Sequence, residues 1–425
     1  MIIRELTARY RLPDGLRFTP LNLVQWSGIL LLFTPKINLV SVEGQTAGLR
    51  IDDVLLLVLL AYTALKFLLP KQNRFSRLEL SVLLFLGLLL LSNLINLLFF
   101  RRSNPLYTIR YVEYFVFFYV GYFCSREFDV RRIAVALLVV NALVMLGQKF
   151  NLVGGFTSVG FGGDVSDRVI GLTGGPWEIG LIINYLFIIL LYGRESRPVP
   201  FQRGFVYFIL TAALILLTGS RMPALAHVLI AFFYFSGRFR SKTFFFSLAA
   251  GLGVALIFLL VTVQNPLVER SSNLFTFSNI QLFSDYYQQL NVDVVFTDFP
   301  PTPGDADSDM SWLMRISKWS FAIKFWTHQM LAWIVGVGPG LWGIALDGGW
   351  IRLLTETGLA GFFIYLMILR NVARLNIAMR LLLIPFAVNM LMIDIYLAYK
   401  CMALFFFLTG YYTRPGDFNH RVVIR

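Results

Sequence analysis

A small set of charged side chains near the ends of apolar runs defines the chemistry open to this chain. Arg110 opens one run in Arg110-Tyr111-Val112-Glu113-Tyr114. Arg168 precedes the glycine-rich stretch Gly171-Leu172-Thr173-Gly174-Gly175-Pro176, and Arg221 closes the tight sequence Leu217-Thr218-Gly219-Ser220-Arg221. Arg315 lies in a long polar stretch, Asp347 just before a late apolar run, Arg352 and Glu356 in its first turns, and Asp394 at the end of the next. Arginines in an apolar protein need counter-ions. Protein carboxylates can supply them, and so can a pyrophosphate, because guanidinium forks match phosphate oxygens bidentately and stay charged at any biological pH. A carboxylate among them can take a proton from an attacking hydroxyl.

Each residue also has a purely structural reading. Arg110 can pair with Glu113, and Arg352 with Glu356, across one helical turn. Arg221 can simply finish a helix hairpin, with Ser220 as the N-cap. That explains the serine but not a cation at a helix N-terminus, where positive charge is unfavourable. Asp347 before a helix is an ordinary N-cap candidate. Other motifs are weaker. Asp305-Ala306-Asp307-Ser308-Asp309 lacks the Gly and Glu that a calcium hand needs at positions six and twelve. Gly336-Val337-Gly338-Pro339-Gly340 lacks the Lys-Ser/Thr of a phosphate-binding loop and reads as a turn back toward the membrane. The three histidines, His227, His328 and His420, are scattered, so no metal cluster is expected. The two cysteines, Cys124 and Cys401, fall in apolar runs and read as packing residues.

The elements that must position these residues follow from composition. The chain has 425 residues, 57% hydrophobic and only 14% charged, against about 25% charged in a soluble domain. A membrane helix needs about 20 mostly apolar residues. The expectation is an all-α polytopic membrane protein with about twelve transmembrane helices, at 20–34, 52–70, 79–100, 106–124, 131–150, 176–193, 203–219, 221–237, 243–263, 349–369, 380–395 and 399–413. No cleavable signal peptide is expected ahead of the first. With both termini in the cytoplasm, 23 of the 37 Lys and Arg fall on the cytoplasmic side, as the positive-inside bias requires. The net charge of +13 is then an orientation signal, and no nucleic acid partner is implied.

Three segments result: nine helices in 1–263, an outer loop at 264–348, and helices ten to twelve with a short cytoplasmic tail in 349–425. The loop holds eight acidic and four basic residues, an acidic island in a basic protein. Loops of that length are usually functional. It is expected to be partly helical, with Trp312 to Val335 suited to the membrane surface. Every candidate residue reaches the same outer face. A lipid or glycan transporter would also suit buried arginines. Such folds usually repeat their halves, however, and this loop has no partner in the first half.

Arg315-x3-Trp319, Gly336-Val337-Gly338-Pro339-Gly340, the run from Asp347 through Trp350, Arg352, Glu356 and Gly358 to Gly361, and the Gly219-Ser220-Arg221 turn together resemble the O-antigen polymerase and ligase superfamily. So does the arrangement of twelve helices with a long outer loop after the ninth. The resemblance implies a GT-C-type membrane glycosyltransferase of the bacterial inner membrane. It would act at the periplasmic face on undecaprenyl-pyrophosphate-linked sugars, with no cofactor or metal, and a chain-length regulator as a partner. Ligases similar to this chain carry His-Asn where it has Asp347-Gly348, which favours the polymerase. Arg221 and Arg315 match the family's essential arginines, Asp347 its tenth-span polar residue, Asp394 its eleventh-span acid, and Arg168 a frequently basic loop position. Asp347 is then the expected general base, with Arg221 and Arg315 stabilising the departing pyrophosphate. Arg168, Arg110, Arg352, Asp394 and Trp350 are expected to bind substrate. Trp350, Trp312, Tyr286 and Tyr287 can each stack on a sugar or anchor at the interface.

Overall fold

The computed structural model describes residues 38–41, 48–50, 74–100, 105–124, 129–157, 160–161, 165, 168–193, 197–236, 277–290, 310–328, 330–342, 346–413 and 422–423. The expected spans at 20–34, 52–70 and 243–263 lie outside these residues, as do the Asp305–Asp309 acidic run and most of the C-terminal tail.

Apart from three short antiparallel strand pairs, the described chain is helical. The helices are α1 (Arg77–Phe100), α2 (Pro105–Cys124), α3 (Val130–Lys149), α4 (Pro176–Tyr192), α5 (Phe201–Thr218) and α6 (Arg221–Ser236). There follow α7 (Phe277–Gln289), α8 (Met310–His328) and α9 (Met330–Val335), all within the segment read as the outer loop. The chain closes with α10 (Gly349–Ala373), α11 (Ile377–Asn389) and α12 (Tyr399–Tyr412).

Four of these, α1, α3, α5 and α10, are long and apolar enough to cross a membrane. The first three keep large apolar side chains exposed. Leu98 is 68% exposed, Leu143 66% and Leu210 55%, as expected of surfaces that meet lipid rather than water. Two shorter helices form the interior. Nearly every residue of α4 and all of α12 are buried, and a helix apolar on all sides belongs in the centre of a bundle.

Local sequence sets the ends. Ser76 and Glu79 form a capping box at the start of α1, with Ser76 N–H donating to Glu79 Oε2 at 2.6 Å and Glu79 N–H to Ser76 Oγ at 3.2 Å. Gly219 closes α5 in the left-handed region, at φ 59°, so α6 starts at Arg221 almost immediately. Pro176 occupies the first position of α4, where no backbone donor is needed. Helix α11 ends at Asn389, well before the expected 395, so Asp394 stands in the following turn rather than on the helix.

The α2–α12 pair is held by two glycines. A Cβ on Gly121 would collide with the Phe407 carbonyl, and one on Gly410 with the Phe118 carbonyl. The two backbones therefore touch, as at small-residue helix crossings in membranes.

Candidate functional site

The site is built around a break in α10. Gly358 adopts φ 65° and ψ −176° inside the helix. That conformation interrupts the regular i to i−4 ladder of an unbroken helix. The loop before α10 donates to carbonyls beside the break: Val337 N–H reaches the Thr355 carbonyl at 2.9 Å, and Gly338 N–H the Glu356 carbonyl at 3.0 Å. This explains the glycines. A Cβ on Gly336 would meet the Glu356 carbonyl, and one on Gly358 the Ile334 carbonyl. Trp342 locks the loop, its indole N–H donating to Thr355 Oγ1 at 2.9 Å while its ring packs on Phe321 and Phe325 of α8.

A closed network of charges lies behind the break. Arg352 Nε donates to Glu356 Oε1 and Arg352 NH1 to Asp394 Oδ2, both at 2.9 Å. Tyr396 OH donates to Glu356 Oε2 at 2.6 Å, and Gly340 N–H to Glu356 Oε1 at 3.1 Å. Asp394 also gathers backbone donors. Its Oδ2 accepts from Leu346 N–H at 2.7 Å and Asp347 N–H at 3.3 Å, and its Oδ1 from Gly348 N–H at 3.1 Å. The Arg352 and Glu356 side chains are fully buried and that of Asp394 is 9% exposed. Buried charge persists only when paired and hydrogen-bonded, and here the two carboxylates and the guanidinium pair with one another.

This unit presents Asp347. Its backbone sits at φ 57°, in the left-handed region that a non-glycine residue adopts only when surrounding bonds impose it. The Asp394 carboxylate supplies those bonds. The Asp347 side chain, 41% exposed, turns away from the helix toward Arg315 of α8, with Arg315 Nε 3.6 Å from Asp347 Oδ2. Gly348 is the N-cap of α10, with no side-chain bond, so Asp347 is not the helix cap. Partial burial pushes the Asp347 carboxyl up from its ordinary value. Arg315 opposes the shift, Asp394 adds to it, and Lys318 and Arg352 oppose it further. A carboxylate made more basic in this way is suited to accepting a proton.

Three expected substrate-binding residues have other partners. Arg352 pairs with Glu356 and Asp394, so the intrahelical pairing holds and its guanidinium supports the site from behind. Trp350 faces α11. Its indole N–H donates to the Ala387 carbonyl at 3.1 Å, and its ring stands edge-on to Phe362. Asp394 likewise has its oxygens occupied by Arg352 and the 346–348 backbone. Trp312, by contrast, is half-buried and edge-on to Trp319, whose own indole N–H donates to the Leu346 carbonyl at 3.1 Å. Arg110 sits over the Tyr107 ring at 4.9 Å, and that ring packs on Gly340 beside Glu356.

Arg168 and Arg221 define a second locus. The Arg168 side chain lies against the space a Cβ on Gly219 would fill, two residues before Arg221. Asn141 and Gln148 of α3 shape the adjoining loop. Gln148 Oε1 accepts from Gly171 N–H at 2.8 Å and Asn141 Oδ1 from Leu172 N–H at 3.1 Å. One short segment joins the loci. Asp394 and Tyr396 serve the first, and the buried Lys400 on α12 donates to the Leu172 carbonyl of the second at 2.6 Å. Lys400 escaped the sequence reading although a lone lysine in an apolar run is a recognisable signal. Tyr396 carried no such signal. No family model and no curated protein matches this chain.

Proposed function

We propose that this protein is a polysaccharide polymerase resembling the O-antigen polymerase and ligase superfamily, a GT-C-type enzyme with twelve transmembrane helices in the bacterial inner membrane. It transfers a growing glycan from undecaprenyl pyrophosphate to the non-reducing-end sugar of a second lipid-linked repeat unit. The observation that carries this reading is Asp347: a partly exposed, basic carboxylate held by a buried ionic scaffold and facing an arginine of the outer loop segment.

In the reaction the acceptor hydroxyl oxygen attacks the anomeric carbon. The carbon–oxygen bond to pyrophosphate breaks, and the hydroxyl proton passes to Asp347. One displacement inverts the anomeric centre. Undecaprenyl pyrophosphate leaves carrying the bond electrons, and Arg315, with Arg221 and Arg168 from the second locus, stabilises the charge it gains. These cations give the positive charge that a metal would otherwise supply, so activity is expected to survive a chelator.

The test is a deletion strain complemented with wild type or Asp347→Ala, its surface glycan resolved on a gel. The polymerase reading expects Asp347→Ala to lose the ladder and keep core plus one unit. Loss of every capped band indicates a ligase instead, and an unchanged ladder removes Asp347 from the mechanism. Unchanged ladders for Arg221→Ala and Arg315→Ala remove the pyrophosphate assignment.

A further inference from the structure

At the end of α10 away from Asp347, a recess of about 320 Å³ opens where the start of α1 meets the ends of α10 and α12. Arg77 and Arg374 line it, with Asn371 between them and Phe118 and Leu375 among its apolar walls. Arg374 lies roughly 30 Å from Arg352 along the helix, at 1.5 Å per residue, so this is a separate place. Both arginines are exposed, and among the described residues no carboxylate lines the recess.

The neighbouring polar groups are engaged elsewhere. Asn371 Nδ2 donates to Ser81 Oγ at 2.8 Å and to the Arg77 carbonyl at 3.3 Å. Glu79, the nearest acid in sequence, caps α1 with one oxygen and accepts from Tyr119 OH with the other at 2.8 Å. Among the described residues, neither Arg77 nor Arg374 has an ion-pair partner. The helix dipole accounts for Arg374, just past a C-terminus, but not for Arg77, which starts α1 where positive charge is unfavourable. An anion between the two arginines resolves that mismatch.

The setting identifies the anion's source. The recess lies where two membrane-length helices, α1 and α10, end, so it stands at headgroup depth. From it α1 carries Leu84, Leu91 and Leu98, exposed by 49%, 46% and 68%, along one face at seven-residue spacing. We propose that this recess binds the phosphate of an anionic phospholipid between Arg77 and Arg374, with the acyl chains starting along the exposed Leu84 of α1. This site is independent of the glycan chemistry proposed above.

The test uses the full-length protein in nanodiscs of phosphatidylcholine with increasing phosphatidylglycerol. Lipid retained after extraction is read by mass spectrometry, alongside thermal stability. Wild type is expected to retain phosphatidylglycerol over phosphatidylcholine. Arg77→Gln and Arg374→Gln should each weaken retention about fivefold, while the double Lys variant keeps most of it. Equal melting temperatures in pure phosphatidylcholine verify that the variants are folded, and the single variants carry the test if the double one is not. Retention of phosphatidylglycerol unchanged by the Gln variants overturns the proposal, and so does no preference over phosphatidylcholine. Stabilisation by inorganic phosphate equal to that by phosphatidylglycerol, and lost in the variants, assigns the site to free phosphate and overturns the lipid.

Discussion

Asp347 and Arg352 lie five residues apart and have opposite roles. Asp347 is the reachable group, and its chemistry is controlled from both sides: burial raises its proton affinity and Arg315 lowers it. Because only the deprotonated form can accept a proton, activity should rise with pH through a limb above the usual aspartate range. Removing the opposing cation in Arg315→Gln should move that limb to still higher pH. A pH profile of glycan synthesis from a defined lipid-linked repeat unit measures both, and a limb that stays put excludes Arg315 as a neighbour of the base. Asp347→Asn should lower the rate by about 10²-fold or more, as expected for loss of a general base. Arg352 is different because its guanidinium is paired with the buried Glu356 and Asp394 carboxylates. Arg352→Met leaves Glu356 and Asp394 buried without their cation, at a cost of about 3–5 kcal/mol. The expected result is a large fall in melting temperature, partly restored when Glu356→Gln is added. A variant of wild-type stability would show that the carboxylates have other partners.

At the scale of elements, the broken helix α10 decides where these groups point. The 336–338 loop donates to two carbonyls beside the break, drawing the loop, α8 and the start of α10 into one unit. Gly358→Ala should therefore be destabilising by about 1–3 kcal/mol, since alanine at φ 65° is strained and its Cβ meets the Ile334 carbonyl. Circular dichroism during heating reads the loss. Gly410→Val should act similarly on the α2–α12 pair, where backbone contact leaves no room for a side chain, again by about 1–3 kcal/mol. If both variants melt like wild type, these close approaches do not hold the elements together.

For the whole molecule, orientation is the quantity that ties the two ends to their compartments. The expected topology places Asp347 outside and Arg374 inside. Cys401 is buried, so a background lacking Cys124 allows reporters with one accessible cysteine. In intact cells a membrane-impermeant maleimide should label Asp347→Cys and spare Arg374→Cys until the membrane is opened. The reverse pattern would place the proposed chemistry in the cytoplasm, away from any periplasmic donor.

The sequence by itself determined the class and much of the helical layout, because apolar length is a property of a local window. Arg221 is the first residue of α6, as the tight turn before it required, and the Trp312-rich stretch of the outer segment is helical. Pairing over long separations was not legible in such a window. Arg352 showed its i+4 partner Glu356 but not Asp394, 42 residues away in sequence. Lys400 showed an odd charge but not the Leu172 carbonyl it holds, and Trp350 resembled a sugar platform until α11 took its indole. Asp347 had the spacing of a helix cap. Only the folded chain gave Gly348 that position and turned the carboxylate toward Arg315, because Asp394 binds the backbone on either side of Asp347 and fixes a conformation that local propensity disfavours.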